Sequence, residues 1–509
     1  MLLLAVWAFW PEAKDSSGDG AGAPVSGPRR LDAAAPEYVI KVSPEFYMPG
    51  TMPWNVGKPL EGLSRVAEAF QALYPDTKIE FVAVPGALRE WLVTQLSSGQ
   101  APDIFHVNVE DVWQDVHKGW YLPLDRYLEQ PNPFVAEGEP GSEQWWDIFK
   151  YQAITRGKAA PDGKNYCITL DMVETGIFYN KDIFQKVGVT LPETWQEFLE
   201  IMEKLRRAGY IPILMWDWHF SNWGMDLIFD QLYCDLLPGI DLTQDPVREQ
   251  YLQGYLDWDE ICFLHQKGFF TREDPRFLEL WRLLKQLRLY TNQDLNRLSI
   301  DLTKLFVTQK GAMVWDGSWL VQRLTKDPDI DFEWGILYPP PITPATSPYA
   351  SGREMCVIGG SGIQLVVSNS AYRDTGDPDT SERLKRCIAF LQFLTTPENT
   401  ERVVNEISAL LPNVKGAAVH KALEPFDEIL QRRYTTAKWT YTFDLKFNEI
   451  LERMLGLYLN DGISEDEFLD WMERNFASAI QSVTRRKRLD LSAFEARWQE
   501  LAPQRRTMK

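Results

Sequence analysis

The chain is poor in cysteine, histidine and positive charge, and each shortage excludes a class of protein. Its 509 residues include five cysteines, none in a Cys-x-x-Cys pair, so neither a zinc site nor a disulfide framework is predicted. The five histidines form no His-Glu-x-x-His motif, and we expect neither a metal nor a cofactor. A formal net charge of −19 lacks the basic surface that phosphate backbones require. Nucleic acid is therefore not an expected partner.

Long apolar runs are missing as well. The opening MLLLAVWAFW is apolar for only ten residues, too short to span ~30 Å of hydrocarbon. It is similar to the hydrophobic centre of a secretory signal, although no lipid-acceptor Cys follows within normal reach. Gly, Ala, Ser and Pro dominate up to residue 36, so we interpret 1–36 as a truncated signal-like segment and a flexible tether. The chain is expected to be extracellular, either tethered to the cell surface or secreted.

Tryptophan is the residue in excess. The chain holds 20 Trp, 19 Tyr and 26 Phe, and several Trp stand beside Gly, Asn, Asp or Ser. The stretch MVWDGSWLVQRL runs an apolar strand into a polar turn and places Trp319 on the first turn of a predicted helix. Strand ends in open α/β sheets and helix starts are both places where ligands bind. Trp319 is therefore a candidate ligand contact, with a core position as the alternative.

An alternation of strands and helices starts twice along the chain. The strands EYVIKV, TKIEFVAVP and APDIFHV alternate with helices, which predicts parallel βαβ units. A second series starts near Tyr166, and its first long helix carries a capping box in which Thr194 and Glu197 bond reciprocally. A long, mostly helical stretch follows at 225–305. The later REMCVIGGSGIQLVV predicts paired strands with a glycine hairpin, and we expect the chain to cross between the two units more than once.

Four stretches resemble the family 1 extracellular solute-binding proteins of ABC importers, the group that includes the maltose-binding protein. They are APDIFHVNVEDVWQDVHKGWYLPLDRYL, GIFYNKDIFQKVGVTLPETWQEFLEIMEKLRRAGYIPI, GAMVWDGSWLVQRL and VIGGSGIQLVV, and the resemblance covers about residues 37–476. It implies a two-lobed, periplasmic-binding-protein-like α/β fold with open, mostly parallel sheets flanked by helices and hinge strands between the lobes. We expect lobe 1 at 37–160 and 350–425 and lobe 2 at 161–349 and 426–509.

The resemblance also implies a function. A ligand held in the cleft between the lobes shifts an open form towards a closed one, which then docks on the membrane permease subunits of the importer. The abundance of aromatic residues favours a carbohydrate, and an oligosaccharide in particular, because aromatic rings pack against the C–H faces of sugars. We expect a monomer without enzymatic activity.

The candidate contacts are aromatic, amide and charged residues at predicted strand ends. They are Trp54 and Asn55; Asn108, Glu110 and Asp111; Asp217, Trp218, Asn222 and Trp223; Asp316 and Trp319; and, on weaker grounds, Arg353 where the chain recrosses the hinge and Trp439 in AKWTYTFD. Each has an alternative. Asn108 or Asp111 could be a helix cap, Trp54 or Trp223 could be core, and Asp217 could pair with a surface cation. His219 is interpreted as a loop or core residue.

Other functions stay open from the residues alone. A glycoside hydrolase needs two carboxyl groups about 5 to 10 Å apart, which Glu110 with Asp217 or Asp316 could supply. The acidic loops would equally suit a cationic peptide or a polyamine. A third class is an adhesion or sensory module. The resemblance favours carbohydrate capture over all of these.

Overall fold

The structure is a computed structural model that describes residues 36–50, 58–151, 159–160, 162–243, 256, 258–295, 301–431, 433–434 and 444–507. Within these ranges the strands are β1 Tyr38–Ser43, β2 Thr77–Phe81, β3 Ile104–His106, β4 Ile168–Thr169, β5 Asp171–Asn180, β6 Ile211–Leu214, β7 Gly311–Gly317, β8 Trp334–Leu337, β9 Met355–Cys356, β10 Ile358–Gly360, β11 Gln364–Val367, β12 Leu411–Pro412 and β13 Arg433–Tyr434.

The helices flank these strands. They are α1 Gly62–Leu73, α2 Leu88–Ser97, α3 Val109–Asp115, α4 Asp125–Leu128, α5 Lys181–Val187, α6 Trp195–Arg207, α7 Asp217–His219, α8 Met225–Tyr233, α9 Trp258–Gln266, α10 Pro275–Arg288, α11 Leu302–Val307, α12 Leu320–Lys326, α13 Glu382–Leu394, α14 Pro397–Val404, α15 Leu445–Leu459, α16 Glu465–Lys487, α17 Glu495–Glu500 and α18 Ala502–Thr507. No helix in the described part of the chain has both the length and the apolar composition needed to cross a bilayer.

The first sheet has the strand order β2-β1-β3-β11-β4. β1 runs parallel to β2 and β3, whereas β11 runs antiparallel to β3 and β4. Its apolar side chains, such as Ile40, Ile104 and Leu365, share one core with Phe70 of α1 and Phe390 of α13. The parallel strands predicted for the start of lobe 1 are confirmed.

The second sheet has the order β10-β5-β7-β6, and β8 and β12 also pair with β5. Only β6 and β7 are parallel; every partner of β5 runs antiparallel to it. The two-lobed α/β architecture is confirmed, but the expectation of mostly parallel sheets is wrong. Parallel neighbours need a long crossover connection between them, and the helical stretch from β6 to β7 provides one. The strands that come directly from the other sheet lack such a connection and pair antiparallel.

Within the described ranges the chain passes between the two lobes three times. β4 and β5 lie in different sheets with only Leu170 between them, and β10 and β11 are separated in the same way by residues 361–363. At the third passage β12 pairs with β5, and the backbone N–H of Asn413 donates to the carbonyl of Leu170 at 2.8 Å. The first two passages fall later in the chain than the predicted lobe limits at 160 and 350. The predicted glycine hairpin is wrong, because its two strands enter different sheets.

A second correction concerns the capping box. The hydroxyl of Thr194 accepts from the N–H of Glu197 at 3.3 Å, as predicted. The Glu197 carboxylate, however, accepts from the N–H of Glu193 at 2.8 Å rather than from Thr194. The helix therefore begins where the sequence indicates, with its reciprocal bond shifted by one residue.

Candidate functional site

An aromatic cluster lies where β6 and β7 end side by side. We define it as Trp216, Trp218, His219, Trp223, Trp315 and Trp319. Trp218 meets Trp223 edge to face with ring centroids 4.7 Å apart, and Trp223 lies 6.2 Å from Trp319. The cluster forms because β6 and β7 are parallel neighbours, so residues that follow one strand meet residues that follow the other. Three residues predicted from two separate segments, Trp218, Trp223 and Trp319, are thus brought together.

Trp319 is the member of the cluster that lies between the lobes. It is half-buried at the N-cap of α12. Its side chain packs against the core of the first sheet, the core of the second sheet and a third apolar group around Phe306 and Leu324. Trp319 therefore lies at the junction of the lobes with part of its ring exposed. A residue that contacts a ligand enclosed by both lobes needs this position.

Trp223 is different, and its assignment as a ligand contact is corrected. Its side chain is 0% exposed, so no ligand reaches it in this conformation. It lies behind two half-buried rings, touching Trp218 on one side and Trp319 on the other. The core alternative considered for Trp223 is the one that the structure shows, and its role towards Trp218 and Trp319 is support.

His219 is a buried core residue, as interpreted from the sequence. Its Nδ1 accepts from the backbone N–H of Trp216 at 3.1 Å, which leaves the proton of the neutral ring on Nε2. Burial lowers the pKa of His219 to about 3, so the ring stays neutral at physiological pH. The next turn, Phe220–Gly224, is π-helical, a local irregularity that is frequent at functional sites.

Asp316 is nearly buried, at 3% exposure, and this corrects its assignment as a direct contact. Its carboxylate accepts from the backbone N–H of Gly317 at 2.8 Å, and the indole of Trp319 is close enough to lower its pKa. Burial raises the pKa of Asp316 to about 7, partly offset by those two groups and by the charge of Arg323. Asp316 thus faces the ring of Trp319 rather than open solvent.

Asp217 and Asn222 flank Trp218 on the same turn. Asp217 is exposed, and its carboxylate accepts from the N–H of Trp218 at 2.8 Å. The half-buried Asn222 donates its side-chain amide to the carbonyl of Trp218 at 3.0 Å. Both side chains therefore fix the turn that carries Trp218, and the exposed carboxylate of Asp217 stands at its surface.

The remaining candidates of the first lobe lie at the start of α3. Asn108 occupies the N-cap position, but its half-buried side chain makes no capping bond. Gln364 accepts from the N–H of Val109 at 2.7 Å instead. Asp111 lies 3.5 Å from Arg89. Glu110 belongs to α3, but its side chain lies outside what the structure describes, as do Trp54, Asn55 and Trp439 altogether.

Arg353 lies on the surface of the second lobe. It is 58% exposed and forms an ion pair of 2.8 Å with Asp235. Its carbonyl accepts from the side chain of Gln231 on α8. The prediction that Arg353 stands where the chain recrosses the hinge is wrong, since the crossing falls after β10.

Sequence reasoning missed Asp171, the first residue of β5. This fully buried carboxylate accepts from the hydroxyl of Tyr47 at 2.6 Å and from the N–H groups of Gly362 and Ile363 at 2.7 and 3.0 Å. The hydroxyl of Ser361 lies 3.2 Å away and donates to the carbonyl of Ile363 at 2.6 Å. Asp171 therefore joins two passages between the sheets to the loop after β1. Burial raises its pKa to about 6 against the effect of these donors. A lone Asp inside an apolar strand was the available signal.

The fold and this site define a class: two α/β lobes, joined by three strand passages, with half-buried aromatic side chains at their junction. Residues 56–401 match the model of the bacterial extracellular solute-binding protein family, and the chain belongs to that family.

Relatives with names or solved structures are distant. The melibiose/raffinose/stachyose-binding protein MelE of Bacillus subtilis is 22% identical over 69% of this chain and 71% of its own length. An ABC transporter extracellular-binding protein of Pyrococcus horikoshii is 23% identical over 42% of this chain, and the match spans about half, 52%, of that protein. The substrate-binding protein Lmo0181 of Listeria monocytogenes, solved in complex with cycloalternan, covers 87% of this chain and 98% of its own at 17% identity and a TM-score of 0.55.

Proposed function

We propose that the chain is the extracellular substrate-binding component of an ABC importer and that its ligand is a carbohydrate, an oligosaccharide in particular. The observation that carries the proposal is the position of Trp319, half-buried against the cores of both lobes, with the half-buried Trp218 on the same cluster. Sugar rings need flat apolar partners flanked by hydrogen-bonding groups. The ligands named for MelE and for Lmo0181 are carbohydrates, which supports the same chemistry here.

The proposed mechanism is binding coupled to closure. The three passages between the sheets are the only covalent links among the described residues that join the two cores, so a change of lobe angle concentrates there. Contacts that form only when both lobes touch the ligand favour the closed form. An affinity near 1 μM would correspond to about −8 kcal/mol. Ligand capture needs no covalent step, and we assign no catalytic residue.

The proposal extends to partners and location. The closed form would deliver its ligand to permease subunits in the membrane, and the protein would act as a monomer at the cell surface, tethered through residues 1–36 or secreted. Asp111, Asp217 and Asn108 would bond the hydroxyl groups of the sugar, because carboxylates and amides are matched to such donors and acceptors.

A ligand screen tests the proposal. We would measure the midpoint of thermal unfolding with raffinose-type, maltose-type and chitin-type oligosaccharides, with a basic peptide and with spermidine. A carbohydrate at 100 times its Kd should stabilise the fold by about 2.7 kcal/mol, which is a shift of a few degrees. Reducing ends are measured in the same samples. A shift with spermidine or the peptide alone, or release of reducing ends, would contradict the proposal and favour a cation-binding protein or a hydrolase.

A further inference from the structure

Gly317 is the last residue of β7, and the ring of Trp319 occupies the space that a side chain at 317 would fill. A Cβ atom built on Gly317 would lie 2.5 Å from Cε3 of Trp319 and closer still to Cζ3 and Cη2. These distances are far below van der Waals contact. The backbone of Gly317 does not have a positive φ, so the glycine is not needed for its conformation. What the position requires is the absence of a side chain.

The backbone around Gly317 has little freedom to move away from the ring. Gly317 pairs with Thr175 in the antiparallel ladder of β5 and β7. The N–H of Ser318 donates to the carbonyl of Glu174 at 2.7 Å. The hydroxyl of Ser318 donates to the carbonyl of Ala409 at 2.6 Å, in the core of the first lobe. A side chain added at 317 would therefore displace the indole rather than the strand.

Asp316 stands beside the same ring. The carboxyl group of Asp316 is almost completely buried, and the indole of Trp319 is close enough to lower its pKa. Gly317 and Asp316 thus act on one side chain: Gly317 gives space to the six-membered ring, and the carboxyl group of Asp316 stands near the indole nitrogen. A tryptophan held in one orientation before the ligand arrives loses less conformational freedom on binding.

We propose that Gly317 and Asp316 are positioning residues that orient Trp319 as the sugar-stacking platform. This inference rests on the proposed function and adds to it the two residues that set the affinity of the site without touching the ligand. The proposal predicts that a methyl group at position 317 changes stability and affinity only by displacing the ring of Trp319.

The first test needs no ligand. Unfolding free energies are measured for the full chain, Gly317→Ala, Trp319→Ala and the double variant. We expect Gly317→Ala to destabilise the full chain and to be close to neutral in the Trp319→Ala background, because the clash partner is then absent. Gly456→Ala is the matched control, since a Cβ at Gly456 meets no atom within 4 Å. Equal costs of Gly317→Ala in both backgrounds would overturn the proposal.

The second test reads the ring itself. With 5-fluorotryptophan incorporated, the ¹⁹F signal lost in Trp319→Phe identifies Trp319. We expect Gly317→Ala and Asp316→Leu to move or broaden this signal, and Asp316→Asn to preserve it because the amide oxygen still accepts. Carbohydrate affinity should follow the signal, with a loss of about tenfold or more for the first two variants and less than threefold for Asp316→Asn. An unmoved signal in Gly317→Ala would overturn the proposal, whether or not the parent chain binds carbohydrate.

Discussion

The hinge around Asp171 and the aromatic cluster around Trp223 are both buried at the junction of the lobes. They differ in whether their buried polar groups have hydrogen-bond partners within the protein. At the hinge, which we define as the passages at Leu170 and 361–363, the carboxylate of Asp171 accepts from three donors on two segments of chain. In the cluster, Nε2 of His219 and the indole nitrogens of Trp216, Trp223 and Trp315 are buried and have no acceptor among the described residues. The carboxylate of Asp171 thus finds its partners within the protein, whereas the buried nitrogens of the cluster find none among the described residues.

From this difference we expect the hinge to act in stability and the cluster to act in the proposed function. A buried donor without an acceptor costs about 1 to 3 kcal/mol, and folded proteins concentrate such costs at functional sites. The carboxylate of Asp171 already has hydrogen-bond donors within the protein, so a ligand would add nothing to it. The rings of Trp218 and Trp319 are only half-buried, so they can still gain contacts from a sugar. We therefore expect substitutions at the hinge to change stability and substitutions at the rim of the cluster to change binding.

The largest effect should come from Trp223, which belongs to the cluster by position but to the core by burial. Trp223→Ala would leave a cavity beneath Trp218 and Trp319 and should lower the free energy of unfolding by about 3 to 5 kcal/mol. Urea denaturation measures this value. Trp120→Ala, at a half-buried position beside Lys118, is the control and should cost about 1 kcal/mol. A loss below about 1 kcal/mol at Trp223 would mean that this ring lies at the surface after all.

The second largest loss of stability is expected from Asp171→Ala at the hinge. Three donors would lose their acceptor, and we expect the free energy of unfolding to fall by about 3 kcal/mol because several buried donors become unpaired at once. Asp235→Ala, at an exposed carboxylate, should cost less than about 1 kcal/mol. Similar unfolding curves for the two variants would show that the hinge does not depend on Asp171.

The pH dependence of the free energy of unfolding tests the buried carboxyl group of Asp316 beside the cluster. The pKa of Asp316 is raised to about 7 in the folded chain, so the folded chain keeps a proton that the unfolded chain releases near pH 4. Stability from this group is complete at low pH and is lost as the pH rises to 7. Between pH 5 and 8, Asp316→Asn should show a decline smaller than that of the parent chain by about 2 kcal/mol. Parallel profiles would contradict the raised pKa.

The smallest effect is expected at Arg353. Its exposed pair with Asp235 lies outside both regions, so Arg353→Ala should change stability by less than about 1 kcal/mol and should leave carbohydrate affinity unchanged within about twofold. Calorimetric titration of this variant checks both. A clear loss of affinity would restore Arg353 as a ligand contact.

The sequence was sufficient for the parts governed by local pattern. Trp218 and Trp319 were predicted because ligands bind at the ends of strands in open α/β sheets. Both lie in one cluster because β6 and β7 are parallel neighbours. The sequence could not tell that Trp223 is buried, because the local pattern does not show whether a tryptophan five residues after Trp218 faces the core or the cleft. The passages between sheets were also beyond local pattern. A short glycine-rich segment such as 359–362 fits a hairpin and a crossing equally well, and the choice depends on partners far along the chain.

The central claim is that Trp319 stacks on a carbohydrate held between the two lobes. Isothermal titration of the oligosaccharide selected by the ligand screen, into the parent chain and into Trp319→Ala, tests it most directly. The account predicts one saturable site in the parent chain and an affinity at least about tenfold weaker in Trp319→Ala, with both proteins folded. Equal affinities in the two proteins would contradict it.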